Sequence, residues 1–268
     1  MLASDRATDR HEQAQRLVAA VREAGAIAHN MCGGTIKSWT KGKDSPVCEA
    51  DIAVNDLLHA RLTDPAIAWL SEESIDDPQR LTARRVWVID PIDGTRAYLA
   101  GLPDWTVAAA LVEDGRPVVA VVFAPVTDEL FVATQGSGAT RNGNPIRVND
   151  AAVLDGARLG GPRKYLERLQ QAAPALVATP RVHSLALRFT RVAQGALDVA
   201  MATANSHDWD LAAADLLVHE AGGVLTTFAG QALTYNQANT VHEPLIAAGR
   251  DRHERLIELV NGHRIAFA

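Results

Sequence analysis

Four groups of acidic side chains stand out along the sequence: Asp51, the pair Glu72-Glu73, the pair Asp90 and Asp93, and Asp210. Taken singly, each reads as readily as a surface carboxylate at a helix end or in a solvated turn. Asp90 differs, because it directly follows the apolar run Val86-Trp87-Val88-Ile89 and so belongs where a sheet edge opens into a crevice. Asp90 and Asp93, three residues apart around Pro91, can turn toward one point, and the Ile92 carbonyl can serve the same ion. An all-oxygen set of carboxylates, carbonyl and water suits Mg²⁺ or Mn²⁺, whereas zinc favours His or Cys. Gly94-Thr95 then offers close backbone approach and a helix start at Arg96-Ala97-Tyr98, whose N–H groups and dipole attract phosphate. The bland alternative for Gly-Thr is an ordinary helix cap.

The elements that must carry these residues follow from periodicity. Apolar positions from His11 to Met31 line one helix face, and Gly33-Gly34 stops that helix. A second amphipathic helix follows Pro46. Short apolar runs at Ile67 to Leu70 and Val86 to Ile89 read as buried strands entering acid-rich turns. Thr106 to Val112 and Pro117 to Phe123 form a hairpin across Asp114-Gly115, and Asn142-Gly143 marks another tight turn. Helices are expected over Pro162 to Gln171, Ser184 to Gln194 and Trp209 to Ala221, the last ended by Gly222-Gly223, with strands at Ala196 to Met201 and Val224 to Phe228. The mixture predicts a layered α/β fold with a lobe division near Asp150, giving lobes 1–150 and 151–268.

Composition bounds the function. With 268 residues, 47% of them hydrophobic and 22% charged, the chain can bury a sizeable core. A net charge of -6 gives no reason to expect a nucleic-acid polymer as partner. Cys32 and Cys48 make neither a disulfide scaffold nor a zinc site. The N-terminal residues are too polar for a signal peptide and no apolar run suits a membrane span, so the expectation is a soluble, cytoplasmic protein.

Three ordered motifs, Leu70-Ser71-Glu72-Glu73-Ser74, Trp87 through Asp90-Pro91-Ile92-Asp93-Gly94-Thr95, and Trp209-Asp210-Leu211-Ala212-Ala213-Ala214 leading to Glu220-Ala221-Gly222-Gly223, resemble the inositol monophosphatase-like superfamily of lithium-sensitive, magnesium-dependent phosphatases. The resemblance covers about residues 12–260. It implies an alternating α-β-α-β-α sandwich with the site between two lobes, two or three Mg²⁺ ions with Mn²⁺ as substitute, and a possible homodimer. By this likeness Glu72, Asp90 and the Ile92 carbonyl hold the first metal, and Asp90, Asp93 and Asp210 the second. A third, weaker ion sits near Glu72. Asp51 pairs with the Thr95 hydroxyl to orient and help deprotonate the attacking water, while Gly94 and Thr95 receive phosphate. Cys48 stands where relatives usually carry Thr, a departure that removes a supporting hydrogen bond to Asp51 rather than its role. As a nucleophile Cys48 lacks a His or basic partner in its segment.

For the substrate, the closest likeness is to the 3'(2'),5'-bisphosphate nucleotidases. Arg96 follows the threonine where inositol monophosphatases usually have Asn-Phe, Lys41-Gly42-Lys43-Asp44-Ser45-Pro46-Val47 looks nucleotidase-like, and Thr203 occupies the place of a hydroxyl-binding Glu. A second phosphate needs cations, for which Arg163, Lys164, Arg181, His183 and Arg188 are candidates, although Lys and Arg on helices more often form a solvated face and His183 reads equally as a helix cap. Tyr235 could stack on a base or simply pack. The leading expectation is hydrolysis of the 3'-phosphate of adenosine 3',5'-bisphosphate or a related nucleotide, through water made nucleophilic by the metals. The alternatives are an inositol or broad-specificity sugar monophosphatase and a non-catalytic phosphometabolite-binding protein.

Overall fold

The computed structural model describes residues 3–34, 36–41 and 45–262. Their helices are α1 (Ala3–Met31), α2 (Glu49–Leu62), α3 (Thr95–Leu99), α4 (Arg163–Ala172), α5 (Leu185–Ala193), α6 (Asp208–Glu220) and α7 (Arg250–Gly262). In the large sheet the strands lie in chain order: Ala68–Ser71, Arg85–Asp93, Thr106–Glu113, Arg116–Ala124, Glu129–Thr134, Ala139–Arg141 and Asn144–Ile146. The first pair is parallel and the rest antiparallel. The small sheet is ordered Val177–Ala178, Arg158–Gly160, Val199–Ala202, Leu245–Gly249, Gly223–Thr227. Two short ribbons, Ser38–Lys41 with Ser45–Cys48 and Ser206–His207 with Val241–His242, complete the described strands. No helix among the described residues is long and apolar enough to cross a membrane.

Strand alternation sends successive side chains to opposite faces, and this sorts the interior into three apolar cores. From the large sheet, Trp87, Ile89, Val107, Ala109 and Leu111 face α1 and α2. Their neighbours Val86, Val88, Ala108 and Ala110 face α5 and α6, whose other side meets Ala200, Ala202 and Ala247 of the small sheet. The intervening Val199, Met201, Ile246 and Ala248 pack outward on α4 and α7. Five layers result, α-β-α-β-α, as expected. The small residues on both sides of the middle layer let α6 lie close to the sheets, and burial of this area from water is the main stabilising contribution.

The chain passes from one sheet to the other between Ile146 and Arg158. The halves nevertheless interlock, because α5 and α6 belong to the second half and share a core with the first sheet. The strand expected from Ala196 begins only at Val199. Ahead of it, the amides of Ala196 and Leu197 are spent on the Arg191 carbonyl and Gly195 takes a φ of 72°, closing the end of α5. The strands Glu129–Thr134 and Leu245–Gly249, the ribbons and α7 were not marked by sequence periodicity.

Candidate active site

The Arg85–Asp93 strand pairs regularly with its neighbour up to Asp90 opposite Ala108, then resumes at Asp93 opposite Thr106. The irregularity falls on Pro91-Ile92, where proline cannot donate to a ladder, and it breaks the alternation that would otherwise separate the two carboxylates. Asp90, Asp93 and Asp210 consequently each present an oxygen within 4.8 Å of the others. Asp210 arrives from the first turn of α6, where its Oδ2 accepts from the His207 amide at 2.6 Å. Asp93 is held from α5: Oδ2 accepts from Ser184 Oγ at 2.5 Å and the Ala186 amide at 2.6 Å, and Oδ1 from the Leu185 amide at 3.1 Å. Asp90 is 1% exposed and its Oδ1 has no hydrogen-bond partner among the described residues. Glu72 directly follows the edge strand, its amide donating to Ile89 O at 3.2 Å. It lies outside the tight triad, although its carboxyl is close enough to feel Asp51 and Asp93.

Burial, followed by mutual repulsion, sets the electrostatics. Burial, then the charges of Glu72, Asp93 and Asp210, pushes Asp90 far above the ordinary carboxylate range. Asp210 rises likewise, from burial and then Asp93. Glu72 is pushed up to about 7 by burial and next by Glu73, with Lys41 opposing. Asp93 rises through burial against the lowering effect of its Ser184 and α5 amide bonds. Such a group of buried carboxylates is costly without a compensating cation. The all-oxygen donor set and the orphaned Asp90 oxygen fit a hard divalent ion of the Mg²⁺ class.

Beside this cluster, Asp51 is the third residue of α2 and 1% exposed. Its Oδ2 accepts from the Cys48 amide at 2.8 Å and from Cys48 Sγ at 2.9 Å. The expected loss of support at the Thr-to-Cys departure is therefore corrected: the thiol supplies the donor. Burial pushes that thiol up to about 12, which keeps it protonated as a donor and unfit as a nucleophile. Thr95 Oγ1 lies 3.0 Å from Ile92 O and 3.4 Å from Asp51 Oδ1, and the shorter contact is the stronger. Gly94 has φ 96°, and a Cβ there would stand 3.3 Å from the Ser184 backbone, so glycine alone lets the segment before α5 close on this corner.

The corner opens into a cleft of about 1190 Å³ walled by Lys41, Thr95, Arg96, Arg181, His183 and His207. A cavity of about 610 Å³ adjoins it, sharing Arg181 and Thr203 and reaching Arg163 and Arg188. A third of about 590 Å³ shares Lys41 and His207 and exposes Glu72 and Asp210. Lys41 Nζ donates to Glu72 O and lies 3.4 Å from Glu73.

Several expected contacts take other parts. Tyr235 is 0% exposed and its hydroxyl donates to Asp215 Oδ2 at 2.9 Å, so it cannot stack on a base; the substrate role is withdrawn. Arg188 borders the smaller cavity, but it is buried and its guanidinium donates to Val182 O and Met201 O, making it a strut under the Arg181–His183 segment. Ser184, not His183, caps α5. His183 Nδ1 instead pairs with Asp104 at 2.7 Å, which fixes the ring at the cleft wall. Arg163 pairs with Glu167 on a solvated face. Gly42, Lys43 and Asp44 of the nucleotidase-like segment lie outside the described residues. Sequence reasoning missed Ser184 as a partner of Asp93, although a serine before a predicted helix marks a cap. It also missed His207, whose ring stacks on Trp209 with centroids 4.5 Å apart.

Comparison with known proteins bears on this geometry. A model of the inositol monophosphatase family matches residues 9–264. The fructose-1,6-bisphosphatase/inositol-1-monophosphatase of Thermotoga maritima is 34% identical over 186 residues, 66% of this chain and 68% of that protein. The 3'(2'),5'-bisphosphate nucleotidase CysQ of Aggregatibacter actinomycetemcomitans is 30% identical over 247 residues, 88% of this chain and 91% of that one. Among solved structures, the extragenic suppressor protein suhB of Bartonella henselae superposes with a TM-score of 0.82 at 28% identity, covering 92% of this chain and 97% of that one.

Proposed function

The chain belongs to the inositol monophosphatase family, and from that premise we propose that it is a Mg²⁺-dependent phosphatase removing the 3'-phosphate of adenosine 3',5'-bisphosphate or a closely related nucleotide. Asp90, Asp93 and Asp210, with Glu72 and the Ile92 carbonyl, would hold the metal. When bound, Mg²⁺ supplies positive charge to the developing phosphoryl oxygens and lowers the pKa of water. The protein's own groups do the rest. Asp51, locked by two bonds from Cys48, is the proton acceptor beside the Thr95 hydroxyl. Gly94 and Thr95 receive the reacting phosphate, and the buried position of Asp51 raises its basicity toward what a general base needs.

The nucleotide assignment is carried by the cleft. Lys41, Arg96, Arg181 and His183 surround it, and no Asp or Glu is found among its described lining residues. This is more cationic surface than one phosphate facing a metal cluster requires, and it suits a second phosphate. Thr203, uncharged, leaves this wall without a carboxylate to accept polyol hydroxyls. A net charge of -6 supports a small metabolite over a nucleic-acid polymer. The Thermotoga relative favours a second reading, a sugar or inositol phosphatase. Phosphate release with Mg²⁺ from adenosine 3',5'-bisphosphate, inositol 1-phosphate and fructose 1,6-bisphosphate separates them: the bisphosphonucleotide should have the highest kcat/KM, and preference for inositol 1-phosphate would refute the assignment.

A further inference from the structure

The segment 233–242 joins two strands of the small sheet, Gly223–Thr227 and Leu245–Gly249, yet it is tied down elsewhere. The Tyr235 amide donates to Gly115 O at 3.0 Å in the large-sheet hairpin, and Arg116 donates to Leu233 O. At its centre Asn236 has a φ of 59°, a left-handed conformation that asparagine tolerates better than most side chains. Its amide and both side-chain polar atoms are engaged. Its amide donates to Asp208 Oδ2 at 2.7 Å, its Oδ1 accepts from Arg80 at 2.8 Å, and its Nδ2 donates to Arg80 O at 2.9 Å.

Both ends of this chain of bonds lead to metal-binding positions. Arg80 is 1% exposed and lies in the connection that follows Glu72, where its fork also holds Asp76 at 2.5 and 2.9 Å. Asp208 is 1% exposed, opens α6 two residues before Asp210, and is further fixed by His242 Nε2 at 2.7 Å. The strand before Glu72 is an edge strand, hydrogen-bonded on one side only, and its end is held by the Glu72 amide on Ile89 O and by Ser71 and Ser74 on Asn55 of α2, none of which ties it to α6.

We propose that Arg80 and Asn236 are positioning residues of the metal centre: their reciprocal bonds lock the connection after Glu72 to the first turn of α6 and thereby fix Glu72 against Asp210. The two carboxylates come from segments about 140 residues apart, on a sheet edge and a helix, and no covalent or ladder continuity joins them. The Arg80–Asn236–Asp208 chain provides that continuity. This inference rests on the metal reading of the acidic cluster.

Titration of the intact protein with Mg²⁺ by calorimetry tests it without any need for turnover. Asn236→Gly keeps the backbone conformation while deleting both side-chain bonds to Arg80, leaving Arg80 only its bond to Gln237 O at 3.1 Å in that segment, and Arg80→Lys keeps the charge while deleting the fork. Both should weaken Mg²⁺ binding roughly 10- to 100-fold, the range for partners that orient metal ligands. Asp198→Asn serves as control: it breaks the Arg158 and Asn149 bonds in the small sheet, and should lower the melting temperature with an unchanged Mg²⁺ isotherm. Wild-type isotherms for both clamp variants would overturn the proposal, as would equal weakening in Asp198→Asn. Failure of the unaltered protein to bind Mg²⁺ would remove the metal reading and the inference together.

Discussion

The two walls of the cleft are built differently. The wall formed by Gly94 and Thr95, with Asp90 and Asp93 buried behind it, is one strand end and its turn, six consecutive residues fixed by a β-ladder, a proline and a left-handed glycine. The opposite wall, with Arg181, His183, Thr203 and His207, is gathered from the segments before α5 and α6, and its side chains are held by single partners such as Asp104. The first wall is rigid, and the proposed function assigns it to a metal and a phosphate. The second consists mostly of connections, which vary at lower structural cost. On the proposed function the ladder would set the reaction type and the connections the substrate choice, and the two should separate under mutation.

The largest effect is expected on the ladder wall. Asp90→Asn should reduce Mg²⁺-dependent phosphate release beyond the roughly 100-fold upper range for outer-shell changes. It should at the same time raise the melting temperature of the metal-free protein, because it removes an ionisable group whose charged form burial and its acidic neighbours disfavour. Retained Mg²⁺-dependent turnover would refute the ligand assignment. Asp51→Asn should slow kcat by roughly 10²- to 10⁴-fold, the range for a general base, with the Mg²⁺ isotherm preserved. A wild-type kcat would dismiss its role.

On the other wall, Arg181→Ala should act through KM. Loss of one charged hydrogen bond is worth about 1.5–3 kcal/mol, so KM for adenosine 3',5'-bisphosphate should rise at least tenfold, while the constants for a monophosphate such as inositol 1-phosphate stay near wild type. Equal losses on both substrates would mean that Arg181 supports the reaction itself, and the contrast between the walls would collapse.

What could be read in advance divides along the same line. The convergence of Asp90 and Asp93 ahead of Gly94-Thr95 was legible because it is local: a strand, a breaker and a turn sit next to one another in the chain. The five layers were expected from the resemblance of three motifs to a known superfamily, whereas alternation and helical periodicity by themselves gave only sheets layered with helices. Tyr235 was misread because nothing around it in sequence announces that Asp215, on α6, takes its hydroxyl. Arg188 was similarly ambiguous, since an arginine on a helix is usually solvated and only tertiary packing turns it inward onto two carbonyls. Cys48 was a matter of chemistry rather than position: its place beside Asp51 was right, but a buried thiol proved an adequate donor.

The smallest effect is expected away from both walls, where Glu129 on the large sheet grips Arg191 of α5 through two bonds of 2.6 and 2.7 Å. The hydrogen bond from Arg191 first, then, against burial, that from Thr127 and the Arg191 charge hold the Glu129 carboxyl below its usual range. A depressed folded-state pKa contributes stability that is present above the unfolded carboxylate value of about 4.3 and lost as pH falls through the folded value. Glu129→Gln should therefore lower the melting temperature at pH 7 by roughly 2–4 °C, corresponding to about 1 kcal/mol. The deficit should shrink as the pH approaches 3, and kcat and KM at pH 7 should stay at wild-type values. The same deficit at pH 3.5 and pH 7 would remove the charge from the explanation. A change in KM would mean that the grip on α5 is felt at Ser184 and Asp93, so that the ladder wall depends on the layer behind it.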